Sequence, residues 1–316
     1  METIYLQHDK PFPKREFPEI VLALGYFDGI HKGHQKVIQT AKSIAVKKEA
    51  SLGVMTFHPP PLAVLSQEVS VEELRYITPL SVKEEQLAAE GVDYLFIVHF
   101  NHSFSKIEPQ EFIKRFVAGI NAVHTVAGFD FSYGHKGKGK LQDVPEYSGG
   151  VIDQTTVEEV TEQNKKISST RTRDELLKGY VDEVKSLLGR PYITRGIVEN
   201  GEKRGRTIGF PTANIAIKDP FILPPTGVYA VQIVIDGETF NGVCNVGYKP
   251  TFHSEQEGDP VIEVHIFDFD RDIYGKHVEV EWHFFIREEI KFSSVEELKN
   301  QITKDKDTAA SLLRHE

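Results

Sequence analysis

The sequence predicts two folds in tandem: an α/β domain on a parallel sheet over residues 1–184, then an antiparallel β-barrel with a closing helix over 185–316. Three observations carry this expectation. The first half alternates short apolar runs with segments of helical period. Beyond Leu188 the apolar period becomes two, with hairpin signals between the runs. The chain, at 316 residues, has room for two cores of about 150 residues each.

The elements follow in order. Residues 20–24 (IVLAL) form a β-branched-rich strand ending at Gly25. Val37, Ile38, Ala41, Ile44 and Ala45 then recur at helical spacing, with lysines on the other side. Residues 52–57 (LGVMTF) are the next strand, stopped by His58 and three prolines. A helix over 82–90, a strand over 94–100, a helix opening at Pro109 and a strand over 122–129 complete the pattern. Proline suits a first helical turn, where its missing N–H leaves no hydrogen bond unmade. Such a βαβ rhythm places helices on both faces of the sheet and ligands beyond the carboxyl ends of its strands. In the second half, strands over 227–235 and 239–246 flank Asp236-Gly237, a pair that tolerates positive φ and favours a tight hairpin. Residues 261–268 and 278–286 alternate in the same way. Residues 293–313 read as a helix, with Ser293 and Glu296 at capping-box spacing. The domain junction is expected between Gly179 and Pro191.

Composition narrows the function. Lys+Arg number 37 against 47 Asp+Glu, a formal charge of −10, so the surface as a whole repels nucleic acid and anionic membrane. The single cysteine, Cys244, permits no internal disulfide and no cysteine-based zinc site, which fits a reducing cytoplasm. The opening METIYLQHDK lacks a signal-peptide profile, and no apolar run approaches the roughly 20 residues that span a bilayer. A soluble cytoplasmic protein without nucleic-acid or membrane partners is expected.

The first chemical constellation is Gly25-Tyr26-Phe27-Asp28-Gly29-Ile30-His31-Lys32-Gly33-His34, a strand end running into a helix. Gly25 and Gly29 allow a tight turn and close backbone approach, and the helix start offers free N–H groups to an anion. His31 and His34, three apart, share one side of the first turn, where imidazoles can donate to phosphate oxygens. A zinc reading lacks a third ligand. This string resembles the signature of the HxGH nucleotidyltransferase superfamily, which transfers a nucleotidyl group and releases pyrophosphate. The resemblance implies a Rossmann-like parallel sheet, His31 and His34 on ATP phosphates, and Gly25, Phe27 and Asp28 around the nucleotide. It extends to Ile167-Ser168-Ser169-Thr170-Arg171, where hydroxyls and free N–H groups at a second helix start form an anion cradle. Thr172 stands where the family commonly has isoleucine, and Arg173 matches the last position of that motif. His58 and Pro59 end the strand after the signature helix, where a flavin or nucleotide could rest. Asp130 is implied at the same site through its family-like element Gly128-Phe129-Asp130-Phe131-Ser132-Tyr133-Gly134. Lys136, Lys138 and Lys140, interleaved with glycines, read individually as solvated loop.

The second constellation runs from Gly196 to Asn214. Gly201, Gly205 and Gly209 suggest a flap whose backbone approaches a phosphate. Thr212 and Asn214 point the same way in an extended segment. They are either neutral oxygen ligands for an ATP-borne Mg²⁺ or polar groups beside a Gly-Phe-Pro turn. Glu263 sits in an apolar strand, so it either does chemistry or faces outward. With Gly227-Val228-Tyr229, Asn245-Val246-Gly247-Tyr248-Lys249-Pro250-Thr251-Phe252 and Glu263-Val264-His265, this stretch resembles the riboflavin kinase module. The whole chain thereby resembles the bacterial bifunctional riboflavin kinase/FAD synthetase family. That resemblance implies a six-stranded barrel, Mg²⁺ and ATP held by the flap, Thr212 and Asn214, Glu263 as general base and Arg287 near the flavin. It also implies the reactions: riboflavin plus ATP to FMN and ADP, then FMN plus ATP to FAD and pyrophosphate.

Overall fold

The computed structural model describes residues 1–12, 16–66, 73–201, 205, 208–248 and 260–315. The chain divides into two compact units, Met1–Ser169 and Thr170–Glu316.

In the first unit the main sheet is wholly parallel. Its strands are β1 (Glu2–Leu6), β2 (Ile20–Leu24), β3 (Ser51–His58), β4 (Tyr94–His99), β5 (Ala122–Gly128) and, after the small ribbon β6 (Ser132–Tyr133) and β7 (Gly139–Lys140), β8 (Asp153–Val157). They lie in the order β1-β4-β3-β2-β5-β8. Central β2 is buried along its whole length. Ile20, Leu22 and Leu24 face a cluster with Phe96, Phe112 and Phe116. Val21 and Ala23 face the opposite cluster, with Val37, Ile38 and Ala41 from α1 (Lys32–Lys48). The sheet is therefore covered on both faces, as its apolar runs predicted. Strands β1 and β8, absent from the sequence prediction, are its two edges; only Leu6 and Val157 among their residues are buried, so neither shows an apolar run.

Shorter helices α2 (Pro61–Leu65), α3 (Leu80–Ala89), α4 (Pro109–Phe112) and α5 (Val144–Tyr147) fill the connections. Helix α4 starts at Pro109 as expected but is α-helical for one turn only. It widens into a π turn over Ile113–Val117, tightens over Ala118–Ile120, and stops at left-handed Asn121 (φ 59°). A two-residue-strand hairpin, β9 (Thr161–Glu162) with β10 (Lys165–Lys166), leads to α6 (Ser169–Leu177).

The second unit contains α7 (Val181–Leu188) and a closed antiparallel barrel. Its strands are β11 (Tyr192–Glu199), β12 (Ala213–Ile217), β13 (Gly227–Ile235), β14 (Glu238–Gly247), β15 (Val261–Ile266) and β16 (His277–Arg287), in the order β11-β12-β15-β14-β13-β16. Helix α7 packs on β11 and β16, so the 184/185 boundary read from the sequence cuts a helix that belongs with the barrel. The hairpin between β13 and β14 turns at Asp236 (φ 52°) and Gly237 (φ 82°), the paired positive φ values expected there. Trp282, Tyr192 and Tyr229 fill the interior; Trp282 Nε1 donates to Thr194 Oγ1 at 3.1 Å and the Tyr192 hydroxyl to the Ile222 carbonyl at 2.6 Å.

The closing helix, α8 (Val295–Leu312), packs on β13, β14 and β16. Its cap is shifted one residue from the prediction. Ser294 Oγ accepts from the Glu297 N–H at 3.2 Å, while Glu297 Oε2 accepts from the Ser293 N–H at 2.9 Å. Consecutive serines and glutamates offer two registers at this point, and the structure takes the later one. Among the described residues, no helix is long and apolar enough to cross a membrane.

Two candidate active sites

The first site forms where β2 runs into α1. The connecting turn takes positive φ at Phe27 (55°), Gly29 (89°) and Ile30 (41°). Gly25 has no room for a side chain, since a Cβ there would lie 2.9 Å from the Phe27 ring. His31 is the N-cap of α1, and its Nδ1 accepts from the His34 N–H at 3.2 Å. That bond leaves the Nε2 position to carry the proton of the neutral ring. The His34 ring stacks on His31, with centroids 3.7 Å apart, and meets the Phe27 edge at 5.1 Å. Burial, the His31 ring and the charge of Lys83 together push the His34 imidazole well below the usual histidine range. Two stacked, neutral imidazoles offer an anion hydrogen-bond donors rather than fixed charge.

Asp28 is fully buried, and its Oδ1 accepts from the Thr78 N–H at 3.0 Å. Its backbone carbonyl accepts from Ser169 Oγ at 2.8 Å, which ties the turn to the start of α6. Asp28 thus shapes the turn, with its carboxylate directed to backbone. Ser168 immediately precedes α6, and Thr170 and Arg171 continue its first turn. The cradle motif is therefore at a helix N-terminus, as expected.

His58 ends β3, joined to Pro59 by a cis bond. Burial, Lys83 and His99 lower its pKa. Asp130 is exposed and pairs with Lys166 of β10 at 2.5 Å; Lys166 also lies 4.6 Å over the Phe129 ring. The same hairpin is held to α1 by Lys32 and Glu162 at 3.2 Å.

Lys83 escaped the sequence reading. It lies on α3, 3% exposed, with Nζ donating to the Tyr26 carbonyl at 2.9 Å. Its helix shows no marked apolar stripe, so only the fold reveals that Lys83 shares the buried side with Leu87, four residues on.

The second site lies on the outer face of the barrel. Register pairs Glu263 of β15 with Asn214 of β12 on one side and Asn245 of β14 on the other. Directly paired residues share a face, so a carboxylate is flanked by two amides across three strands. Their neighbours Ala213, Val264 and Cys244 form the adjacent row and are buried. Burial and the charge of Glu263 push the Cys244 thiol up. Glu263 thus faces outward, but into a polar row. Asn245 was not singled out from sequence as a site residue, because the signal is visible only once strand register is known.

Gly201 lies against this row and Gly205 against the segment that leads into it, while Gly209 stands in open space. A Cβ on Gly201 would lie 2.1 Å from Asn214 Nδ2, and one on Gly205 would lie 2.2 Å from the Phe210 carbonyl and 3.6 Å from Thr212 Oγ1. Gly209 takes φ 91°. The turn is fastened to the barrel by His265, whose Nδ1 bonds the Pro211 carbonyl at 2.9 Å and whose ring meets Phe210 at 5.4 Å. Gly201, Gly205, Thr212, Asn214 and Glu263 are thereby brought together. The residues Lys249, Pro250, Thr251 and Phe252 of the kinase-like string lie outside the described residues.

Arg287 stands at the end of β16, where its guanidinium is committed to Asp305 of α8. Nε donates at 3.0 and 3.1 Å and Nη2 at 2.7 Å. A sequence-remote carboxylate holds this arginine in a structural pair.

A parallel α/β unit with a histidine-bearing turn at a helix start, joined to a barrel bearing a carboxylate between amides, fits a two-domain transferase of phosphate groups. Comparisons with known proteins make the class specific. Residues 14–171 match the FAD synthetase family model and residues 188–313 the riboflavin kinase model. The chain is 49% identical over 309 residues to the bifunctional riboflavin kinase/FMN adenylyltransferase of Bacillus subtilis, covering 98% of this chain and 97% of that protein. It is 45% identical to the protein of that name from Listeria monocytogenes, over 98% of each chain. A crystal structure from Streptococcus pneumoniae, described as a macrolide-efflux protein, superposes with a TM-score of 0.88 at 37% identity over 98% of each chain. The chain belongs to the bifunctional riboflavin kinase/FMN adenylyltransferase family, whose substrates and products include riboflavin, ATP, FMN and FAD.

Proposed function

We propose that the two activities run at the two sites described, each within its own unit. In the barrel, the primary alcohol of riboflavin attacks the γ-phosphorus of ATP; its proton passes to Glu263, and ADP leaves. The observation that carries this reading is the placement of Glu263 between Asn214 and Asn245, beside the glycine turn. The amides can orient the carboxylate and nucleotide, while Gly201 and Gly205 let backbone N–H groups approach phosphate.

Among the described residues no three His, Cys, Asp or Glu side chains cluster for a metal ion. A hydroxyl at Thr212 and an amide oxygen at Asn214 do fit Mg²⁺ that arrives on ATP and keeps its water ligands. Such an ion would neutralise charge on the transferred phosphate.

In the α/β unit, an FMN phosphate oxygen attacks the α-phosphorus of a second ATP, the α–β bridge breaks and pyrophosphate leaves. That nucleophile is already an anion, so the unit has no need of a strong base. His31, His34, Ser168 and Ser169, with the helix starts they stand at, would bind and steady the phosphates. His58, Pro59 and Asp130 would line the flavin end. A buried, free Cys244 agrees with a cytoplasmic setting. The test is Glu263→Gln. It should abolish FMN formation from riboflavin and leave conversion of FMN to FAD intact; an unchanged kinase rate would remove Glu263 as base.

A further inference from the structure

We propose that Lys83 is a positioning residue of the adenylyl-transfer site, its buried ammonium holding the Tyr26–Asp28 turn in the shape that presents His31 and His34 to nucleotide phosphates. This rests on the reading of those histidines as phosphate ligands.

A lysine at 3% exposure on the buried side of α3 needs a reason, because an ammonium taken out of water must find partners. Lys83 finds them in the turn. Its Nζ donates to the Tyr26 carbonyl at 2.9 Å and lies 4.6 Å over the Tyr26 ring. The same carbonyl accepts from Thr56 Oγ1 at 2.8 Å, so β3 and α3 grip one backbone oxygen together. Positive φ begins at the next residue, Phe27 (55°), and returns at Ile30 (41°). Bulky L side chains avoid that conformation, and it persists only where neighbours over-determine it. Thr78, just before α3, adds a third tie through Asp28. Strand β3 and the segment carrying Lys83 thus clamp the turn from which α1 and both histidines emerge.

The charge matters as well as the hydrogen bond. Groups whose electrostatics couple to Lys83 come from three elements: Asp28 from the turn, His34 from α1 and His58 from the end of β3. Asp28 favours the ammonium, burial opposes it more strongly, and the balance holds it down at about 8. In return, the Lys83 charge helps keep His34 and His58 neutral. The ammonium is therefore charged below about pH 8 and discharges as pH rises through that value, a limb the lowered histidines do not share.

The experiment measures FAD formation from FMN and Mg-ATP between pH 6.5 and 10 in the full-length chain, with FMN formation from riboflavin as control on each preparation. Lys83→Met should lower kcat for FAD formation by about 10²-fold, the usual penalty for a misplaced reacting group, and spare the kinase. In the wild type the rate should fall through about pH 8. Lys83→Arg should restore part of the activity and move that limb above pH 10, because guanidinium keeps its charge. Full activity in Lys83→Met, or an unmoved limb in Lys83→Arg, would overturn the proposal. His34→Ala is measured alongside. If it keeps FAD formation, the phosphate-site reading falls and takes this inference with it; if only Lys83→Met keeps it, this inference alone falls.

Discussion

Replacing Asp305 by alanine should destabilise the barrel while leaving riboflavin affinity nearly unchanged. Asp305 is 4% exposed and accepts from Arg287 Nε at 3.0 and 3.1 Å, from Arg287 Nη2 at 2.7 Å and from Gln301 Nε2 at 2.8 Å. Its removal strands a guanidinium whose side chain is only 18% exposed. Breaking a buried pair from one side costs about 3–5 kcal/mol. The lower end applies, because Arg287 Nη1 keeps the Glu288 carbonyl at 2.8 Å and its guanidinium is not fully dry. At about 3 °C per kcal/mol for a unit of this size, Tm should fall by about 10 °C. Trp282, the chain's single tryptophan, is fully buried inside the barrel, so its fluorescence follows this unit. Arg287→Met should cost a similar amount, and Arg287→Met/Asp305→Leu less than the two together. Unchanged stability with a riboflavin KM raised many-fold would refute the reasoning and return Arg287 to the flavin.

Further outcomes follow from the two sites. The His34 ring should stay neutral down to well below pH 6.5, because burial, His31 and Lys83 all oppose its protonation; NMR of the ring nitrogens reads this, and titration at or above 6.5 would contradict it. Gly201→Ala would place a Cβ 2.1 Å from Asn214 Nδ2, so Asn214 must move, and FMN formation should fall by about 10²-fold while FMN-to-FAD conversion is untouched. Steady-state assays of both reactions on that variant check it, and a wild-type kinase rate would detach Asn214 from the site.

Burial decided how much of this was legible in the sequence. Strand β2, buried on both faces, reads as an unbroken apolar run, whereas edge strands β1 and β8 bury one residue each and read as loop. The hairpin at Asp236-Gly237 was legible because turn chemistry is local. The cap of α8 slipped by one because Ser293-Ser294 and Glu296-Glu297 offer two equivalent frames. The motif residues at 25–34 and 201–214 were found because glycines and histidines at fixed spacing state their chemistry locally. Asn245 and Asp305 were not, since each acquires its role from a partner brought by strand register or helix packing. Lys83 was passed over because lysine on a short helix ordinarily faces solvent.

Two independent active sites on one chain are tested most directly by complementation between variants. Riboflavin and Mg-ATP are incubated with His34→Ala, with Glu263→Gln, and with both proteins together, and the flavins are separated by chromatography. Accumulated FMN is expected with the first, unreacted riboflavin with the second and FAD with the mixture. Loss of both activities in either variant, or no FAD from the mixture, would contradict two independent sites.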